Sequence, residues 1–283
     1  YQLQTPTGGF PQFGDRAKVF LEPKSSLDLL ADQRVKQIAN SFGFSAAPVV
    51  LNDRTYRWTK SQPLQDTLDM DLQNNNFSLT TNYLSQPNLF SQQNLPVGSD
   101  AVGAVKAFIT AGFALPDDLA TASGQITYLK SFGGDVTPAV SFSDADLLQI
   151  DLMRAPIDGY FSTFTPDGAK GIVHAILSGG LTGKDQIVEL EYKYHDVNRS
   201  IYETYPLRTP ESAWQILQAG EGYIVQRGTS STAVVRDIIL AYYDDFNEQD
   251  YMQPIYVFVG DGGFLGYVPA LDPRIYQQPK TTQ

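Results

Sequence analysis

Cysteine is absent from this 283-residue chain, so disulfides, thiolate nucleophiles and cysteine-held metals are excluded from its chemistry. Histidine occurs twice, at His174 and His195, which leaves two imidazoles for any acid-base or ligand role. Positive charge is scarce too. Against 31 Asp and Glu stand 20 Lys and Arg, a formal net charge of -11, which opposes the counterion release that drives nucleic-acid binding and is repelled by anionic lipid. Nucleic acid is therefore not an expected partner. No apolar run reaches the roughly 18 residues that a spanning helix requires. The opening residues show neither a basic n-region nor an apolar h-region, so any targeting segment is expected upstream of Tyr1.

What is present is a large, aromatic, lightly charged chain. With 16 Tyr, 16 Phe and only 18% charged residues, it reads as an exported bacterial β-rich protein rather than a cytosolic enzyme. A chain of this length buries roughly three quarters of its unfolded surface, so its core needs no disulfide or metal staple.

Residues 1–15 carry Pro6, Gly8, Gly9, Pro11 and Gly14 with little periodicity and read as an extended arm or linker. The polar end, 276–283, reads as a fraying tail. Three helices are legible between them. The first follows Ser25 and Ser26 as N-cap candidates, places Leu27, Leu30, Ala31, Val35, Ile38, Ala39 and Phe42 on one face, and stops at Gly43. The second follows Ser99, with Ala101, Val102, Val105, Phe108 and Ile109 at helical spacing and Gly112 near its end. The third takes Thr209 as N-cap and Pro210 as its first residue, packs Ala213, Trp214 and Leu217 inward, and ends at Gly220.

Period-two runs bounded by turn residues predict strands over 56–59, 67–72, 77–81, 126–129, 147–154 and 172–177, with a further set from 186 onward. The run 234–243 is apolar on both faces and so belongs at the centre of a sheet. Pro254 lacks an amide donor and belongs at a strand start or bulge. The repeated order of helix and antiparallel meander predicts an α+β fold of tandem modules, each laying a helix on one face of a sheet. The boundaries read as 16–97, 98–185 and 186–275, with one continuous mixed domain as the alternative.

Chemical motifs are few. His174 shares a strand face with Ile172 and Ile176 and reads as a satisfied core or interface residue; His195 reads as a solvated strand end. Neither HExxH nor GxSxG occurs. Ser178-Gly179-Gly180-Leu181-Thr182-Gly183-Lys184-Asp185 imitates a phosphate loop, but Ser178 stands at the first Gly position and Asp185 replaces the magnesium-binding hydroxyl. It reads as a hairpin loop. Asp244, Asp245, Asn247, Glu248 and Asp250 crowd one loop without the Gly and distal Glu of an EF-hand, and read as a solvated hairpin tip. The sequons at Asn76 and Asn198 read as chance. No catalytic, metal-binding or cofactor-binding residue is assigned. A candidate binding face is Tyr242, Tyr243, Tyr251, Tyr256 and Phe258, with core and cross-strand pairing as the competing reading.

The stretch Ser212-Ala213-Trp214-Gln215-Ile216-Leu217-Gln218-Ala219-Gly220-Glu221-Gly222-Tyr223-Ile224, then Leu240-Ala241-Tyr242-Tyr243 and Tyr251-Met252-Gln253-Pro254-Ile255-Tyr256-Val257-Phe258, resembles the YycH and YycI regulators. Their PepSY-like modules carry a helix ending in a Leu-x-x-Gly turn followed by aromatic strands. The likeness is clearest over 186–270 and looser over 100–178, and the whole chain is similar to uncharacterised bacterial membrane-anchored ectodomains of this type. It implies a non-enzymatic protein- or peptide-binding ectodomain at the cell envelope, tethered by an N-terminal transmembrane segment, possessing no cofactor, and regulating a sensor kinase. The alternatives are a cell-surface structural or adhesive subunit and a hydrolase of cell-wall or other polysaccharide.

Overall fold

The computed structural model describes residues 1–26, 28–132 and 135–274. The chain forms two compact units, both discontinuous in sequence. One comprises Ser25–Ala155 and Lys170–Tyr194; the other comprises Tyr1–Lys24, Pro156–Ala169 and His195–Gln283. Both are α+β, built on mainly antiparallel sheets with few helices.

The first unit is a nine-stranded antiparallel sheet in the spatial order Val49–Val50, Thr55–Lys60, Asp66–Asp71, Phe77–Thr81, Ile187–Tyr192, Val173–Ser178, Leu147–Leu152, Gly124–Phe132, Asp135–Pro138. Its pairing crosses both module boundaries read at 97/98 and 185/186. Leu79 lies opposite Leu190, and Leu177 opposite Ile187. Helices α1 (Ala31–Ser41) and α2 (Ser99–Thr110) pack on one face, where Phe42 and Phe108 stack with ring centroids 4.7 Å apart. Val35, Val105 and Ile109 are fully buried there. Among the described residues no helix is long and apolar enough to cross a membrane.

Helix α1 begins later than its periodicity predicts. Leu29 and Leu30 are exposed, and the turn before the helix is closed by Asp28, whose Oδ1 accepts the Leu30 amide at 2.7 Å, so neither Ser25 nor Ser26 caps it. Its end is as read. Gly43 has φ +93°, and the Phe44 amide reaches back to the Ala39 carbonyl at 2.9 Å, a left-handed C-terminal turn that favours glycine. Helix α2 is preceded by Gly98, and Ser99 is its first residue rather than its cap.

In the second unit the strand Val234–Tyr243 is central. It pairs in parallel with Gln2–Leu3 and Thr163–Phe164 on one side and antiparallel with Pro254–Gly260 on the other, beyond which lie Leu265–Pro269 and Tyr223–Gln226. Short helices α3 (Asp117–Ala120, in the first unit) and α4 (Pro210–Gln218) complete the set. Helix α4 starts as read: Thr209 Oγ1 accepts the Ser212 amide at 3.2 Å, and Ala213, Trp214 and Leu217 are buried against the sheet. Gly220, at φ +81°, ends it.

The arm read over 1–15 is a correction. The Gln2 amide donates to the Ala233 carbonyl and the Gln4 amide to that of Val235, both at 2.9 Å. Tyr1 meets Trp214 edge-on at 6.3 Å, and Phe10 and Phe13 pack on the core under α4. Apolar side chains spaced among the Pro and Gly residues turn the supposed linker into part of its own unit. The tail read over 276–283 lies outside the described residues.

Candidate functional site

A third sheet, also in the second unit, has three strands: Asn198–Pro206, Arg16–Leu21 and Tyr251–Met252. The long strand pairs with Arg16–Leu21 along one edge, with Glu203 opposite Val19 and Tyr205 opposite Ala17. Among the described residues its other edge carries no strand. Alternation puts Phe20 into a buried cluster with Ile157, Tyr242 and Met252, and leaves Val19 and Leu21 on the opposite face.

That opposite face is a groove of about 430 Å³. Val19, Leu21 and Leu271 supply apolar surface, Tyr205 and Tyr251 supply aromatic surface, and Glu203 supplies a carboxylate. Tyr251 stands directly across from Leu21. The register slips between Asn198 and Tyr202, which face Leu21 and Phe20 respectively, so the intervening residues bulge outward. Asn198 Oδ1 accepts the Ser200 amide at 3.0 Å and steadies this bulge. Ile201, in the bulge, is 53% exposed, and Tyr202, paired opposite Phe20, is 46% exposed. Pro206, without an amide donor, closes the strand.

The five residues read as a binding face do not share one. Tyr242, Tyr256 and Phe258 are buried, Tyr243 is half-buried and Tyr251 is 49% exposed. Tyr256 Oη donates to the Arg208 carbonyl at 2.8 Å, Tyr242 Oη to the Lys18 carbonyl at 3.0 Å, and Phe258 packs on Trp214 at 5.9 Å. Burial raises the phenol pKa of Tyr242, Tyr243 and Tyr256, the last to about 12. These rings are anchors of the fold. Of the five, only Tyr251 reaches the groove, where Ile201 and Tyr205 join it from the strand Asn198–Pro206.

The two histidines are both buried. His174 Nδ1 lies 2.8 Å from Asp151 Oδ1, and its Nε2 lies 3.9 Å from Glu189. Asp151 also accepts the Gly171 amide at 2.9 Å and Gln149 Nε2 at 2.7 Å. This is a satisfied polar knot in the sheet of the first unit, as the reading of His174 expects. His195 is a correction: it is 8% exposed, with Nε2 3.2 Å from the Phe246 carbonyl, and not a solvated strand end. The segment Ser178–Asp185 lies within an antiparallel hairpin between Val173–Ser178 and Ile187–Tyr192. In the acidic loop, Asp244 is buried, against the solvated tip expected; Asp250 is exposed and paired with Lys24 at 2.8 Å.

No family model and no curated protein matches the sequence. Among solved structures, an uncharacterized protein from Eubacterium rectale is similar at 11% identity and a TM-score of 0.42, covering 91% of this chain and 84% of its own. The YpeB C-terminal domain of Bacillus megaterium is similar at 10% identity and a TM-score of 0.39, covering 88% of this chain and 94% of its own. At these scores neither neighbour carries an argument, and the α+β class rests on the chain's own sheets and helices.

Proposed function

We propose that this chain is a non-enzymatic, extracytoplasmic ectodomain of the PepSY-like regulatory kind, tethered through a segment upstream of Tyr1, which binds a protein or peptide along the strand Asn198–Pro206. The observation that carries the reading is that strand's exposure: nine residues long, paired on one edge among the described residues, and bordered by a groove with Ile201 and Tyr251 exposed. An extended segment added to such an edge gains main-chain hydrogen bonds, while the groove selects its side chains. The low charge and the abundance of Tyr and Phe support a site outside the cytoplasm.

The test is a double variant, Ile201→Asp with Tyr251→Asp, both at exposed positions where substitution leaves folding within about 0.5 kcal/mol. A cell-envelope protein that binds the wild type with a defined stoichiometry and is lost by the double variant supports the reading. Equal binding by both proteins would remove the groove from the interaction surface.

A further inference from the structure

In the first unit, Lys60 ends the strand Thr55–Lys60 and Asp66 begins the next, Asp66–Asp71, so the two face each other directly across a hairpin. Lys60 Nζ lies 2.8 Å from Asp66 Oδ2, with the carboxyl carbon one bond beyond. Asp66 is 5% exposed, and the ring of Phe44, itself buried, lies over the amine with its centroid at 5.2 Å. A second carboxylate, Asp185, brings Oδ1 to 3.5 Å from the same amine. Two acids thus share one lysine beside an aromatic wall.

An ordinary ion pair accounts for only part of this arrangement. Asp66 Oδ1 is buried with no hydrogen-bond partner among the described residues, whereas a buried polar atom is normally met. Burial raises the Asp66 pKa despite the lysine beside it, and the charge of Asp185 adds to the rise. Passing one proton from the ammonium to this acid leaves a neutral amine against a neutral carboxylic acid, the forms that a low-dielectric site accommodates. Those are the two reactants of amide formation, already in contact.

We propose that Lys60 and Asp66 join in an intramolecular isopeptide bond, with Asp185 carrying the proton. Lys60 Nζ forms a bond to Asp66 Cγ, and the carboxyl hydroxyl leaves as water. Asp185 takes one amine proton and delivers it to that hydroxyl, so nothing is oxidised and no co-reactant is consumed. Effective concentrations on the order of 10⁵ M, typical of groups held in this way, drive a condensation that free amine and acid in water do not complete. The product closes the hairpin covalently next to the edge strand Val49–Val50, in a chain that has no cysteine to do so. This staple does not depend on the peptide-binding role of the groove.

The experiment is the mass of the whole chain, held folded at neutral pH until it no longer changes and then denatured. The wild type is expected to weigh less than its sequence by one water. Trypsin is expected to stop cutting after Lys60, whose amine is acylated, and to release residues 58–106 as a single peptide lacking that water. Lys60→Arg and Asp66→Ala are expected at full mass, and Asp185→Asn is expected to lose the water about a hundredfold more slowly. A wild type at full mass, cut normally after Lys60, would overturn the proposal and leave an ion pair. A lost water that persists in Lys60→Arg would place the dehydration elsewhere and overturn it as well. Water loss in Asp185→Asn at the wild-type rate would overturn the proton role of Asp185.

Discussion

Asp151 and His174 face each other on neighbouring strands of the nine-stranded sheet, Oδ1 to Nδ1 at 2.8 Å, with Asp151 only 2% exposed. Burial would raise the Asp151 pKa, but hydrogen bonds from His174, Gln149 and the Gly171 amide more than offset it, and the net shift is downward. A carboxyl whose pKa is lowered by folding adds stability above its unfolded value of about 4 and loses it as pH falls toward the folded value. Asp151→Asn is therefore expected to flatten the loss of stability on acidification below about pH 4, measured by urea unfolding across pH. At neutral pH, Asp151→Ala is expected to cost about 3 kcal/mol, because it orphans three donors in a buried site.

Tyr256 ties the central sheet of the second unit to the chain entering α4, through its bond to the Arg208 carbonyl. Tyr256→Phe keeps the ring and removes the donor, at a cost of about 1 kcal/mol. Tyr256→Ala also leaves a cavity beside Phe13 and is expected to cost about 4 kcal/mol. A partner-binding role for this ring would instead leave the melting temperature unmoved in both variants.

Gly171 tests the packing beside that polar knot. A Cβ there would meet the Leu152 carbonyl oxygen at 2.5 Å and its amide nitrogen at 2.6 Å, both backbone atoms of a paired strand. Gly171→Ala is expected to destabilise the first unit by about 2 kcal/mol or more, read as a lowered denaturation midpoint.

The docked N-terminus makes a prediction that separates it from a linker. The amides of Gln2 and Gln4 are expected to exchange more slowly than that of Gly9, since they are bonded to the carbonyls of Ala233 and Val235 at the start of the central strand. Deleting residues 1–4 is expected to lower the melting temperature of the second unit, as it removes a strand and the Tyr1 contacts with Trp214 and Phe264.

The groove residues should behave in the opposite way to Tyr256. Ile201→Asp is expected to leave thermal unfolding almost unchanged, within about 0.5 kcal/mol, while abolishing peptide binding. A large loss of stability would show that Ile201 serves the core.

Local chemistry made some elements readable without coordinates. Thr209 followed by Pro210 and closed by Gly220 marks α4, and Gly43 marks the end of α1, because caps and left-handed turns satisfy backbone groups within a few residues of themselves. The two apolar faces of 234–243 likewise announce a central strand, since both sides must be covered whatever the neighbours are. What tertiary structure alone decided was which strands meet and which rings end inside. Nothing local tells Phe77–Thr81 to pair with Ile187–Tyr192 more than a hundred positions away, and that choice places two apparent modules in one sheet. Nor does alternation distinguish Tyr256, buried under α4, from Tyr251, open beside Leu21. Both sit in aromatic strands, and only the partner laid across each one sets its exposure.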